Sequence, residues 1–250
     1  MSIWGKIIGG AAGFALGGPL GALIGGLAGH AVDVLREEVG SAETRDGTRE
    51  IAFTVGVIAL SAKMAKVDGT VTGSEEAMFR RLFQVPPEEQ RNVARIFDLA
   101  KQDAQGFEAY ARQIARLFPP AAPVLEDLLG ALFKIALADR RLHPSEEDYL
   151  RAVADIFGFD AAAFARIRAL HAGPDEGDPW HILGVAPGAS PAAVKQAWRQ
   201  LAAEHHPDRL VAQGMPAELV HQATDKLARI NDAYDRIEKL LRQRSPVGAN

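Results

Sequence analysis

The chain has 250 residues, 48% of them hydrophobic and 24% charged, a globular balance that excludes wholesale disorder. It has no cysteine, which removes disulfide frameworks, thiol nucleophiles and cysteine-based zinc sites. The net charge is −4 and no segment carries a basic excess, so the phosphate backbone of nucleic acid is not an expected partner.

Ten of the 24 glycines fall before residue 30. From Ile7 to Gly29 no residue is charged, and Gly9, Gly13, Gly17, Gly21, Gly25 and Gly29 recur at every fourth position. On a helix that spacing makes one slowly drifting stripe, along which two helix backbones approach closely in lipid. The uncharged run, at about 1.5 Å per residue, reaches roughly 34 Å and matches a bilayer core of about 30 Å. Leu16, Leu20, Leu23, Ile24 and Leu27 supply the apolar face, and Trp4 and Lys6 suit an interfacial end. The run is too long for a cleaved signal peptide. A soluble glycine-rich segment is the rival reading, because glycine is a poor helix former in water and Pro19 would kink the middle. The spacing therefore predicts a glycine-zipper helix over 1–35, spanning a membrane and pairing with a second copy. Arg36, Arg45 and Arg49 after the span favour a cytoplasmic C-terminal side.

Residues 50–172 read as helix throughout. Phe53, Val57, Leu60 and Met64 keep a period near 3.6, as do Leu128, Leu132, Ile135 and Leu142. Breaks fall at Pro86-Pro87, Gly106, Pro119-Pro120, Pro123, Pro144 and Gly158, and the stretch reads as seven helices. Two segments echo each other 71 residues apart: Asp68 precedes Glu75 by seven positions, and Asp139 precedes Glu146 by the same interval. These four carboxylates would supply hard oxygen ligands to a cation, although the spacing is not that of an EF-hand. Capping is the competing reading: Thr72 and Glu75 form a T-x-x-E box, and Pro144 suits a first helical turn. The pattern resembles the TerB-like helical domain of tellurite-resistance-associated proteins. That resemblance implies a link to divalent cations and to partners, but Arg140 stands where the first copy has Gly69, against a symmetric two-loop site.

After the polar break at 174–177 comes Asp178-Pro179-Trp180, and then Ser190 offers an N-cap with Pro191 at the first helical position. Val194, Ala197, Trp198 and Leu201 make 191–204 an amphipathic helix. A longer helix is expected over 217–242, with an apolar seam at Leu219, Ala223, Leu227, Ile230, Tyr234, Ile237 and Leu241, packing antiparallel to the first. Between them a loop holds His205-His206-Pro207-Asp208-Arg209. Proline disfavours helix at His206, so the first helix stops there and presents histidine and aspartate at a rigid tip. Lys195, Arg199 and Arg209 add a small positive surface that would steer toward an acidic partner.

This order resembles the J-domain of the DnaJ family over 178–244. The resemblance implies a co-chaperone that binds a DnaK-type Hsp70 and stimulates its ATP hydrolysis, with no enzymatic chemistry and no cofactor of its own. His206, Pro207 and Asp208 are the residues that match the family's tripeptide, and Lys195 and Arg199 match its basic helix. Gln196, Gln200 and Glu204 stand where many J-domains have lysine, so the positive face is thin. The expected class is all-α: a glycine-zipper anchor, a TerB-like domain and a C-terminal J-domain, the order found in membrane-anchored J-proteins facing the cytoplasm from an inner membrane. The competing class is a cation-sensing or stress-response protein acting through the middle domain.

Overall fold

The computed structural model describes residues 18–21, 42–67, 73–82, 87, 90–101, 106–139, 141–171, 178–213 and 220–244. Among these there is no strand, in keeping with the all-α expectation. The middle unit consists of α1 (Ala42–Met64), α2 (Gly73–Leu82), α3 (Gln90–Lys101), α4 (Phe107–Ala115), α5 (Pro123–Ala136), α6 (Pro144–Phe157) and α7 (Ala161–His171). The C-terminal unit consists of α8 (Pro179–Ile182), α9 (Pro191–Glu204), α10 (Pro207–Ala212) and α11 (Val220–Arg244).

Two helices hold the middle unit together. Every residue of α1 from Ile51 onward is buried, through to Ala65 just beyond its end, and α5 is buried continuously from Val124 to Phe133. The 3.6-residue period describes one face of such helices, but a helix dry on all faces lies inside a bundle rather than on its surface. Helices α3, α4 and α5 surround α1, and Tyr149 on α6 donates its hydroxyl to the Leu60 carbonyl across 2.8 Å. Gly56 permits the approach of α4: a Cβ there would lie 2.4 Å from Ile114 Cδ1 and 2.7 Å from its Cγ1.

The breakers act as the sequence suggests. Pro123 and Pro144 sit in the first turns of α5 and α6, where the missing N–H costs no intrahelical bond. Gly158 ends α6 at φ 86°, and the Phe157 carbonyl there accepts the Ala121 amide at 2.8 Å, tying the 119–122 turn to the helix end. Leu142, counted above in the stripe of α5, lies beyond that helix and is half-buried.

In the C-terminal unit α9 and α11 run antiparallel. Trp198 stacks on Tyr234 at 4.7 Å and donates Nε1–H to Asn231 at 2.8 Å, while Pro191 and Lys195 face Glu238 and Leu241 at the other end. The buried line of α11 is Ala223, Lys226, Ile230, Ala233 and Ile237, with Leu227 and Tyr234 only half-buried, so the helix is rotated from the seam expected above. The two units interlock. Leu170 at the end of α7 belongs to the core of Trp180, Ile182, Val194 and Ile230, whereas Leu210 and Ala223 of the C-terminal unit belong to the core of the middle one.

Residues 18–21 form one helical turn on the middle unit. The Leu20 amide donates to Gln113 Oε1 at 3.0 Å, and its side chain is fully buried in the core. Leu20 thus occupies protein interior where the sequence reading set it toward lipid. Gly18 has φ +58°, a left-handed conformation that a continuous right-handed helix does not contain. The close approach at Gly56 gives a test: Gly56→Val should destabilise the fold by about 1–3 kcal/mol, read as a lower denaturant midpoint. An unchanged midpoint would mean that α1 and α4 pack more loosely than described.

Candidate functional site

Helix α9 closes with the His205 amide donating to Leu201 O at 2.9 Å. The chain then turns at His206, whose φ −65° and ψ 130° are the extended conformation that a following proline imposes. The stretch after His206, expected to be a loop, is instead the first turn of α10. His206 is its N-cap, Pro207 stands in the first turn, and the Arg209 and Leu210 amides donate to His206 O at 3.0 and 3.1 Å. The Asp208 amide donates to His206 Nδ1 at 3.3 Å, which leaves Nε2 as the ring nitrogen free to donate outward. The side chain of His206 is 54% exposed and that of Asp208 is 93% exposed. A cap that orders the backbone thus sets an outward donor and an outward carboxylate two residues apart.

Lys195, Arg199 and Arg209 are all exposed, the first two one turn apart on α9. Gln200, at a position where lysine would have enlarged this surface, donates to Glu204 at 3.0 Å.

Directly behind the turn lies a buried group of charges that sequence reasoning missed. Glu126 on α5 accepts Arg166 Nη1 at 3.0 Å, meets Nη2 of the same guanidinium with its second oxygen, and accepts Lys226 Nζ at 2.8 Å. Lys226 also donates to Asp127 Oδ1 at 2.7 Å. His205, at 1% exposure, places Nε2 3.5 Å from Glu126 Oε1, while its Nδ1 is buried without a hydrogen-bond partner. Burial alone would push the Glu126 carboxyl up, but Lys226 first, then Arg166 and His205, hold it well below the usual carboxylate range. For Asp127 burial outweighs Lys226 and the carboxyl is pushed up. Burial, seconded by Lys226, pushes the His205 imidazole down to about 3 against the pull of Glu126, so it faces Glu126 as a neutral ring at neutral pH. A signal existed in the sequence: two adjacent carboxylates fall inside the otherwise apolar run of 124–133.

The four carboxylates considered for a cation divide as follows. Asp139 Oδ1 accepts the Arg141 amide at 2.9 Å, and Glu146 is buried and accepts the His143 amide at 2.8 Å in a capping box with His143 as N-cap. Asp68 and the Glu75 side chain lie outside the described residues, and among those described no group of three or more His, Asp or Glu is arranged to hold a metal ion. Of the glycine ladder, Gly21 is buried in the turn at 18–21, while Gly9, Gly13, Gly17, Gly25 and Gly29 lie outside the described residues.

Comparison with known proteins matches three families in chain order: "Co-chaperone DjlA transmembrane domain" over residues 1–48, "Tellurite resistance protein TerB" over 54–169 and "DnaJ domain" over 178–242. The chain is 30% identical over 273 residues to the co-chaperone protein DjlA of Photobacterium profundum, covering 95% of this chain and 98% of that protein. It is 30% identical over 278 residues to DjlA of Aliivibrio fischeri, covering 96% and 98%. With DjlA of Escherichia coli it shares 27% over 266 residues, again covering 96% and 98%. No solved structure gives a significant match.

The buried imidazole behind the turn has a measurable consequence. Between pH 6.5 and about 3 the unfolded chain binds more protons at His205 than the folded one, so stability falls as the medium is acidified through that window. The loss is at most about 1.4 kcal/mol per pH unit. In urea unfolding at stepped pH, His205→Gln should flatten this slope, with His171, also pushed well below 6.5 by burial, leaving a remainder. Equal slopes for the variant and the parent chain would show that His205 titrates normally.

Proposed function

Because the chain belongs to the DjlA family of co-chaperones, we propose that it stimulates ATP hydrolysis by a DnaK-type Hsp70 through the turn His206-Pro207-Asp208, working at the cytoplasmic face of the inner membrane. The observation that carries this reading is the turn itself. Its backbone is fixed by Pro207 and the His206 cap, yet the His206 imidazole and Asp208 carboxylate both reach solvent. A docking element of this kind loses little conformational freedom when a partner closes on it. Lys195, Arg199 and Arg209 supply positive charge that would draw an acidic surface of the Hsp70 toward the turn. The role is that of a co-chaperone rather than an enzyme: the hydrolysis belongs to the partner.

Three working parts follow: an anchor over 1–35, a TerB-like domain over 50–172 that selects what is brought to the Hsp70, and a J-domain over 178–244. The match of 1–48 to a transmembrane family supports the anchor. Among the described residues no helix is long and apolar enough to cross a membrane. A span over 7–29 would draw Leu20 out of its slot beside Gln113, so insertion and the docked turn are alternative states of the same residues. Gly9, Gly13, Gly17, Gly21, Gly25 and Gly29 would form the face on which two inserted copies pair.

Two measurements test this reading. The full chain in detergent should raise the ATPase rate of a DnaK-type Hsp70, and His206→Gln should return it to the basal rate. An unchanged rate with the parent chain, from an Hsp70 that responds to another J-protein, would exclude this mechanism. In carbonate extraction of membranes the protein should stay with the pellet; release into the supernatant would rule out the spanning anchor.

A further inference from the structure

The inner side of the His-Pro-Asp turn rests on the TerB-like domain. His205, just before the turn, and Leu210, on the helix that the turn starts, are both buried, and Leu210 belongs to the core of the TerB-like domain. Glu126 of α5 faces His205. Its carboxylate bonds to Arg166 of its own domain and to Lys226 of the J-domain, and it touches His205 next to the turn. Nearby, Gln222 Nε2 donates to the Leu82 carbonyl at 3.4 Å, a second polar tie across the same seam. One buried side chain thus joins both domains and the residue from which the turn departs.

The seating does not cover the docking surface. Lys195, Arg199, His206, Asp208 and Arg209 are all exposed while the domains are docked. The contact presents the turn rather than masking it, which distinguishes a positioning role from an inhibitory one.

We propose that Glu126 is a positioning residue for the His206-Pro207-Asp208 turn: from the TerB-like domain it seats the J-domain in one orientation, so that an Hsp70 meets the turn already held outward. This rests on the co-chaperone reading above and adds to it that the TerB-like domain sets the geometry of the encounter. Glu126→Gln keeps the shape of the side chain but removes the charge that Arg166 and Lys226 share, and a buried pair broken on one side is strongly destabilised.

The test uses the full chain with two readouts. Glu126→Gln should speed amide exchange across 206–213 by about a hundredfold while leaving 191–204 unchanged, since only the seat and not the helix is loosened. It should also raise the concentration giving half-maximal Hsp70 stimulation by about tenfold, with the maximal rate retained. Lys226→Met breaks the same seat from the other domain, and unchanged exchange across 124–133 in both variants separates a loosened seat from a folding defect in α5. Glu126→Asp, which keeps the charge, should restore both readouts part of the way. Wild-type exchange across 206–213 in Glu126→Gln and Lys226→Met alike would overturn the proposal, as would loosened exchange with no change in half-maximal concentration. If the parent chain stimulates no DnaK-type Hsp70, the co-chaperone reading fails, and amide exchange alone then decides whether Glu126 seats the turn.

Discussion

Glu126 and Asp127 stand side by side near the start of α5, a helix that is buried without a break from Val124 to Phe133. Carboxylates in such a place carry a desolvation penalty of several kcal/mol each unless cations reach them. Arg166 reaches Glu126 from within the TerB-like domain, but the ammonium shared by both carboxylates comes from Lys226 on the last helix of the chain. The TerB-like domain is therefore electrostatically complete only with the J-domain in place. Once Lys226 is fixed, the rotation of α11 is fixed too, and with it the burial of Ala223, Leu210 and His205 and the outward aim of the turn. A buried ion group of this kind is better suited to selecting one arrangement than to adding stability, since apolar side chains of equal volume would pack at lower cost.

The adjacent histidines show how one residue step separates two roles. His205 closes α9, lies in the protein interior and faces Glu126; His206 begins α10 and faces solvent. Pro207 creates the difference, because it bars helix at His206 and so forces the backbone to change direction between the two rings. The carboxylates of the second acidic repeat have equally local employment. Asp139 and Glu146 bond to backbone amides within three residues of themselves, which explains their spacing by the needs of helix ends.

Much of the fold was legible because its signals are local. Ser190 and Pro191 mark the start of α9, and the helix runs over 191–204 as its periodicity indicates. The prolines and glycines of the middle unit divide it into seven helices among the described residues. The His-Pro-Asp turn was equally plain, since three neighbouring residues define it. The short helix α10 was missed because the breakers on either side of it suggested only a loop. The charge group was missed for a different reason: Glu126 and Lys226 are 100 positions apart, and first-turn acids ordinarily suggest a helix dipole. The rotation of α11 escaped for the same cause, because Lys226 counts as a solvent residue until its partner is known. Leu20 ends inside the protein for a reason periodicity does not carry, since any apolar side chain suits lipid and a protein core alike.

The boundary suggested by family matches and the boundary set by packing do not coincide. One match ends at residue 169 and the next begins at 178, yet Leu170 completes the J-domain core, and Leu210 and Ala223 complete that of the TerB-like domain. Each domain is thus finished by side chains that the other supplies. Modular as the chain looks when read in sequence, its two helical parts are not interchangeable pieces. A J-domain transplanted from a relative would have to bring both a cation for Glu126 and Asp127 and an apolar residue for the place of Leu210. A change at Lys226 or Leu210 in one domain is therefore felt as a stranded buried charge or a cavity in the other.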